Sequence, residues 1–362
     1  MTRPSVLVNG RFMAQSLTGV QRFATETLAA LDRHAAATGW EGIELAVPSD
    51  VAGLPALSAI RAVRHGRRSG QAWEQLELPA LAAGRMIVSL GNTAPLRAGR
   101  RQVVVIHDAG VFDTPQSYGF VFRAWYRIMQ RRLARQGATI ATVSRFSRGR
   151  IAPHLGIPQE CIPVLREGGE HLLRAPPDQG ILERHRLMPG GFALVVGSLA
   201  AHKGLEALAA PAALLACRGM RVAIAGGLDT RVFQDAGAAG HGRLQRLGRV
   251  TDAELRALYE AAACLLFPSR YEGFGLPPVE AMACGCPVIA EGSGAVAEIC
   301  GDAALYAPFG EGAAAALARL LDEPDLAGRL VARGRAQAAR YRWDGAAEDL
   351  ASVIMDMGAR GS

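Results

Sequence analysis

Residues 266–289 read Leu-Phe-Pro-Ser-Arg-Tyr-Glu-Gly-Phe-Gly-Leu-Pro-Pro-Val-Glu-Ala-Met-Ala-Cys-Gly-Cys-Pro-Val-Ile. An apolar run, Cys264 to Phe267, enters a turn built from Gly273, Gly275, Pro277 and Pro278, with Glu272 and Glu280 on either side. Pro278 suits the first position of a helix, where its missing N–H is no loss and its φ is already set. That helix is expected to run to about Cys284, with Gly285 ending it and Pro287 opening the next strand. The pattern is strand, glycine-rich loop, helix N-terminus, with one carboxylate in the loop and one in the first helical turn. Unpaired N–H groups at such a helix start form an anion site, most often for phosphate.

Strand and helix signals alternate along the whole chain. Val6–Val8, Ile43–Val47, Met86–Leu90, Val103–Ile106 and Thr139–Val143 read as buried parallel strands, separated by helical stretches near 19–37, 120–136 and 145–154. Thr18-Gly19-Val20-Gln21 has the spacing of a capping box at the first helix. A region rich in Gly and Pro around 168–180 reads as a link, after which strands resume at Ala193–Val196, Arg221–Ala225, Cys264–Phe267 and Val288–Ala290. At 362 residues the chain exceeds what one core supports, so two domains follow. The fold class is α/β, with two doubly wound sheets facing a central cleft.

Composition narrows the function. No apolar stretch is long enough to span a bilayer and the N-terminus lacks the layout of a signal peptide, so a cytoplasmic protein is expected. The six cysteines show no zinc spacing and are read as reduced and mostly buried, with no metal site. Residues 1–180 hold 22 Arg against 13 acids, net +9, whereas the remainder is net −2. The basic half invites an anionic partner. Nucleic-acid-binding motifs are missing, and an anionic membrane surface fits better. Phe122 to Gln136 reads as a basic amphipathic helix, carrying Trp125, Tyr126, Ile128, Met129 and Leu133 with Arg123, Arg127, Arg131, Arg132 and Arg135. A packed helix with an Arg-rich solvated face is the equal alternative. Arg61, Arg64, Arg67 and Arg68 form a second basic run. Lys203 is the single lysine against 39 arginines, and it lies between a strand and a helix start, where a compact ammonium suits a phosphate.

Taken with Phe267-Pro268-Ser269 before it and Ala281-Met282-Ala283-Cys284-Gly285 after it, the Glu272/Glu280 segment resembles the Glu-x7-Glu signature of retaining glycosyltransferases of the GT-B fold, family 4. The resemblance covers essentially the whole chain. It implies an N-terminal acceptor-binding Rossmann-like domain over residues 1–175 and a nucleotide-sugar-binding one over 176–343, with the last helix, 344–362, packing back on the first domain. Asn9-Gly10-Arg11-Phe12, Leu17 to Phe23, Trp73-Glu74-Gln75-Leu76 and Gly91 to Pro95 resemble a bacterial subgroup that builds surface and extracellular polysaccharides.

Residue by residue, the resemblance assigns Lys203 to the donor diphosphate and Glu280 to the ribose hydroxyls. Phe274, Gly275 and Leu276 would offer backbone N–H groups, and Glu272 would contact the transferred sugar. Gly227 and Arg249 match loops near the base, although Arg249 reads equally well as a surface residue. Gly19 would let backbone approach the diphosphate. His107, at a strand end before Asp108, matches a family histidine that contacts the sugar, and Asn92, Thr93 and Asp108 would lie on the acceptor side. Two departures stand out: Ser198 occupies a position where many members carry arginine, leaving His202 as the candidate second cation, and Glu167-Gly168-Gly169-Glu170 replaces the common Asn-Gly-Val-Asp. The expected reaction moves a hexose from a nucleoside-diphosphate sugar, GDP-mannose first and UDP-hexoses close behind, to a hydroxyl of a glycan or lipid-linked acceptor, with no metal or other cofactor. The protein would be cytoplasmic, with peripheral contact to the inner face of the plasma membrane. The rivals are a sugar-nucleotide epimerase of the same fold and a non-catalytic subunit of a polysaccharide assembly complex. A nicotinamide dehydrogenase is weaker, since no strand is followed by G-x-G-x-x-G.

Overall fold

The computed structural model describes residues 3–197, 205–227 and 244–361. These form two compact units, Met1–Glu167 with Trp343–Ser362, and Gly168–Arg342.

The first unit is built on strands β1 (Val6–Asn9), β2 (Ile43–Pro48), β3 (Arg61–His65), β4 (Met86–Ser89), β5 (Gln102–Val105) and β6 (Thr139–Ala141), ordered β3-β2-β1-β4-β5-β6. All neighbours pair in parallel. Every residue of β1, β2, β4 and β5 is buried, because the crossovers lay helices on both faces of the sheet. Gly19–Thr38 and Trp343–Gly361 are two of these helices, and they pack together. Trp343 is fully buried and meets Phe23 edge-on at 6.1 Å. Two ion pairs fasten the C-terminal helix, Arg33–Asp344 at 2.6 Å and Arg166–Asp349 at 2.9 Å.

The second unit repeats the plan with β7 (Phe192–Val196), β8 (Arg221–Ala225), β9 (Leu244–Gly248), β10 (Cys264–Phe267), β11 (Val288–Ala290) and β12 (Ala304–Tyr306), ordered β12-β11-β10-β7-β8-β9 and again parallel. Its core joins Val195, Ile224 and Leu266 of the sheet to Leu215, Leu317, Leu320 and Leu330 of the covering helices.

Four sequence expectations need correction. The division falls at 167/168 rather than after residue 175. The turn Glu170–Arg174 docks on the second unit, with Arg256 Nη1 donating to the carbonyls of Leu173 (3.2 Å) and Ala175 (2.7 Å). The helix after β10 begins at Leu276, two residues before Pro278, with Gly275 as its cap at φ 105°. Thr18 does cap the first helix with extended backbone, but its hydroxyl bonds the side chain of Gln21 rather than a backbone N–H. The basic run at 61–68 begins as strand β3. There Arg61 pairs with Glu44 at 2.6 Å and Arg64 donates to the carbonyls of Val51 and Ala52, so part of its charge is neutralised within the fold.

Cys161 and Cys217 are exposed thiols, and Cys264, Cys284, Cys286 and Cys300 are buried. Burial pushes the thiols of Cys264, Cys284 and Cys300 up to about 12 and also raises that of Cys286 well above its ordinary range. Among the described residues, no helix is long and apolar enough to cross a membrane.

Candidate functional site

In doubly wound sheets, ligands bind beyond the carboxyl ends of the strands where the strand order reverses. The reversal lies between β7 and β10 in the second unit and between β1 and β4 in the first.

After β10, Ser269 is buried and Glu272 half-buried, and the chain then enters Gly273-Phe274-Gly275-Leu276. Phe274 is buried and stands edge-on to Tyr341 at 5.6 Å, which anchors the loop. Gly275 is required where it stands: its φ is +105°, and an added Cβ would come within 3.2 Å of Val296 Cγ2. Because the helix starts at Leu276, Glu280 falls in its second turn rather than its first. Glu280 is only 5% exposed. Its Oε2 accepts a 3.0 Å hydrogen bond from the Tyr259 hydroxyl, and its Oε1 lies 3.2 Å from Nε2 of His171. Burial, and then the charge of Glu280, raise the Tyr259 phenol well above its ordinary range, so it remains a donor. Gly169 sits against this carboxylate's own backbone, an added Cβ meeting Val279 O at 2.9 Å and Glu280 N at 3.0 Å.

Glycines end the three neighbouring strands. Gly197 and Gly226 have φ of +136° and +146°, and a Cβ on Gly226 would stand 2.1 Å from the Gly197 carbonyl oxygen. Gly248 follows at φ +75°, accepting from Gly226 N at 2.8 Å. Arg249 lies over Gly227: its Nε would be 3.6 Å from a Cβ there. The structure thus brings Gly227 and Arg249 together at the ends of β8 and β9. Ser198, His202 and Lys203 lie outside the described residues.

In the first unit, a buried polar network sits under the ends of β1 and β4. Glu74 Oε1 accepts from Asn9 Nδ2 (2.7 Å), Arg11 Nε (3.0 Å) and Thr93 Oγ1 (2.9 Å), and Arg11 Nη2 reaches Thr93 Oγ1 at 2.5 Å. Tyr126 hydrogen-bonds Arg11, and its phenol is raised by burial first, with Arg11 opposing and Glu74 assisting. All the members of this network but Tyr126 are buried, so Thr93 supports the 91–95 loop from within. The adjacent Asn92 holds φ 63°, and its Oδ1 accepts from the His107 amide at 2.8 Å. His107 is 5% exposed. Its Nε2 is 2.9 Å from the Leu90 carbonyl, its Nδ1 is 3.8 Å from Glu167, and Phe23 meets the ring edge-on at 4.8 Å. Asp108 Oδ1 accepts from Gly110 N at 2.6 Å and so starts the short helix Gly110–Asp113. Gly19 is exposed at the first position of its helix, and a Cβ there would meet nothing within 4 Å.

Sequence reading missed Tyr259, His171 and Glu167 as partners of Glu280 and His107. The only local signal was the Glu-Gly-Gly-Glu departure itself, which carries Glu167 and is followed directly by His171.

Comparison with known proteins bears on this architecture directly. The family model described as Glycosyl transferases group 1 matches residues 186–337, which contain Glu272, Glu280 and Arg249. The chain is 30% identical over 260 residues to O-antigen chain mannosyltransferase B of Escherichia coli, covering 67% of each. It is 31% identical over 244 residues to MMP alpha-(1->4)-mannosyltransferase of Mycolicibacterium hassiacum, covering 64% of this chain and 57% of that one. The chain therefore spans about two thirds or less of these relatives' own length. A solved structure of Anabaena HepE in complex with UDP and glucose superposes with a TM-score of 0.70 at 18% identity, covering 97% of this chain and 99% of the other, a likeness of fold. Two parallel six-stranded sheets of this order, together with that level of identity to an O-antigen mannosyltransferase, settle the family: the chain belongs to the group 1, family-4-like glycosyltransferases of the GT-B fold.

Proposed function

We propose that the chain transfers a hexose, mannose from GDP-mannose first and a UDP-hexose as second choice, to a hydroxyl of a glycan or lipid-linked acceptor in surface or exopolysaccharide synthesis. The observation that carries the reading is the loop after β10. A buried carboxylate, Glu280, stands in the second turn of a helix that follows the Gly273-Phe274-Gly275 turn, and a helix N-terminus of this kind suits a diphosphate. The mannosyltransferase relatives favour mannose.

In this reading Glu280 accepts from the ribose hydroxyls, and Phe274, Gly275 and Leu276 with Lys203 hold the phosphates. Glu272 and His107 contact the transferred sugar, and Gly227 with Arg249 flank the base. Retention proceeds by front-face substitution. The bond from anomeric carbon to phosphate oxygen breaks, the acceptor oxygen bonds to the same face, and its proton passes to the departing phosphate. Charge building on that phosphate is stabilised by Lys203 and the helix N-terminus. No metal is required, so transfer is expected to continue in EDTA. Lys203→Ala and Glu280→Ala are each expected to lower transfer by about 10²-fold or more, and near-wild-type transfer by both would overturn the assignment. The stereochemistry is read from the anomeric coupling of the product. An epimerase would instead convert sugar nucleotides with no acceptor present, and a non-catalytic subunit would bind them without turnover.

A peripheral membrane contact belongs to this reading. Phe120 and Val121, at the start of the helix Phe120–Arg135, are 74% and 79% exposed, and Arg131, Arg132 and Arg135 are exposed along the same helix. Apolar tips beside exposed arginines suit the cytoplasmic face of an anionic membrane, where a lipid-linked acceptor would reside.

A further inference from the structure

Glu280 is held from two sides. A buried carboxylate has two oxygens and about four lone-pair positions. Tyr259 donates to Oε2 at 3.0 Å, and His171 Nε2 stands 3.2 Å from Oε1, its side chain 1% exposed. Tyr259 therefore hydrogen-bonds Oε2, while His171 flanks Oε1 at ion-pair distance without a hydrogen bond to it, and both oxygens keep lone pairs for further donors. A ribose offers two adjacent hydroxyls, a matching pair of donors. Without these two neighbours, a carboxylate on one flexible side chain has χ angles to choose from, and fixing them at the moment of binding lowers affinity.

The approach of His171 depends on its neighbour. Gly169 presses on the Val279–Glu280 peptide so closely that a Cβ would stand 2.9–3.0 Å from its atoms. That contact brings the turn Glu170–Arg174, and His171 with it, against the helix that carries Glu280. Tyr259 comes from a different element, the helix Asp252–Ala261, which starts with a complete capping box between Thr251 and Glu254. Two independently anchored elements thus converge on one carboxylate.

We propose that His171 and Tyr259 are positioning residues that aim Glu280 at the ribose of the donor nucleotide, so that this pair, through Glu280, sets the selectivity for a ribonucleotide over a deoxyribonucleotide. The inference rests on the ribose assignment of Glu280 made above, and its test separates the two. Binding of GDP, UDP and their 2′-deoxy counterparts is measured by calorimetry on the full chain. The wild type is expected to prefer the ribonucleotide by about tenfold or more, the effect of one hydrogen bond to a charged group. His171→Ala and Tyr259→Phe are expected to weaken the ribonucleotide by about tenfold. They should leave the deoxynucleotide within about threefold, so the preference collapses. His171→Gln, whose amide nitrogen reaches the place of Nε2, is expected to restore it. Tyr259→Phe and His171→Gln keep side-chain bulk, and thermal melts are the check that they fold. If His171→Ala and Tyr259→Phe weaken the two nucleotide classes equally and keep the preference, the positioning role is overturned. If Glu280→Ala abolishes the preference while His171→Ala and Tyr259→Phe retain it, this inference fails and the ribose assignment stands. If the wild type or Glu280→Ala shows that the preference never depended on Glu280, both fall.

Discussion

The ring of His107 donates from Nε2 to the Leu90 carbonyl oxygen across 2.9 Å, and this contact decides the tautomer. A carbonyl only accepts, so Nε2 carries the hydrogen and Nδ1 is the nitrogen turned to Glu167 at 3.8 Å. Nitrogen NMR of the labelled protein is expected to show Nε2–H. His107→Phe keeps a ring packed on Phe23 but loses the bond to Leu90, and transfer is expected to drop by about tenfold or more. Absence of an Nε2–H signal would refute the assignment.

Two glycines are expected to respond in opposite ways to alanine. Gly226 has φ +146° and no room, with a Cβ 2.1 Å from the Gly197 carbonyl oxygen, so Gly226→Ala should destabilise by about 3 kcal/mol or more. Gly19 begins a helix with open space around it, so Gly19→Ala should leave Tm unchanged or slightly raised. Any rise in donor KM for Gly19→Ala then reports close approach of a ligand. An unchanged KM would remove Gly19 from the donor site.

The Arg11–Glu74 pair, 3.0 Å apart with both side chains buried, is a structural charge pair under the 91–95 loop. Removing one partner leaves the other charge unpaired, which costs about 3–5 kcal/mol. Glu74→Ala and Arg11→Ala should each lower urea stability by that amount, and the double variant by clearly less than the sum. Full additivity would mean that the two side chains do not act as a unit.

Asp32 gives a pH-dependent contribution of known sign. Burial alone pulls its carboxyl upward, but bonds from the amides of Ser58, Ala59 and Ile60 and from the Ser58 hydroxyl, each 2.8 Å, outweigh it and leave the pKa below the ordinary 3.8. A depressed carboxyl adds stability above its unfolded pKa and loses it as pH falls through the folded value. Asp32→Asn should therefore be less stable by about 1–3 kcal/mol at neutral pH. The gap should begin to narrow as the pH drops below 3.8 and close only below the depressed folded value. A gap that stays constant into acid would contradict this.

For the membrane contact, Phe120→Ser with Val121→Ser is expected to weaken binding to phosphatidylglycerol-containing vesicles by about 10²-fold, from the apolar area withdrawn. Raised salt should weaken the wild type further. Equal binding by the variant, or none by the wild type, would leave the helix as a solvated face.

Much of the architecture was legible because its strands are short apolar runs bounded by Gly and Pro, as at Cys264–Phe267. Arg61–His65, Leu244–Gly248 and Ala304–Tyr306 escaped notice. The first two are edge strands with polar residues, and the third is an edge strand of only three residues, too short for its apolar run to stand out. The Glu272–Glu280 loop announced itself by local spacing. Its supports did not: Arg11 and Glu74 are 63 positions apart, and Tyr259 meets Glu280 from a separate helix. Contacts of that kind arise only when the elements pack, and no local pattern encodes them. The boundary at 167/168 was misplaced for the same reason, since composition marks a flexible-looking stretch but not which side it docks on.

The distribution of thiols has a practical consequence. Cys161 belongs to the first unit and Cys217 to the second, and both are exposed, while burial suppresses the other four thiolates. The native chain therefore carries one addressable attachment point per unit with no cysteine to remove. A pair of spin labels or dyes placed there would form an intrinsic ruler, reading the separation of the two units in solution with and without a nucleotide sugar.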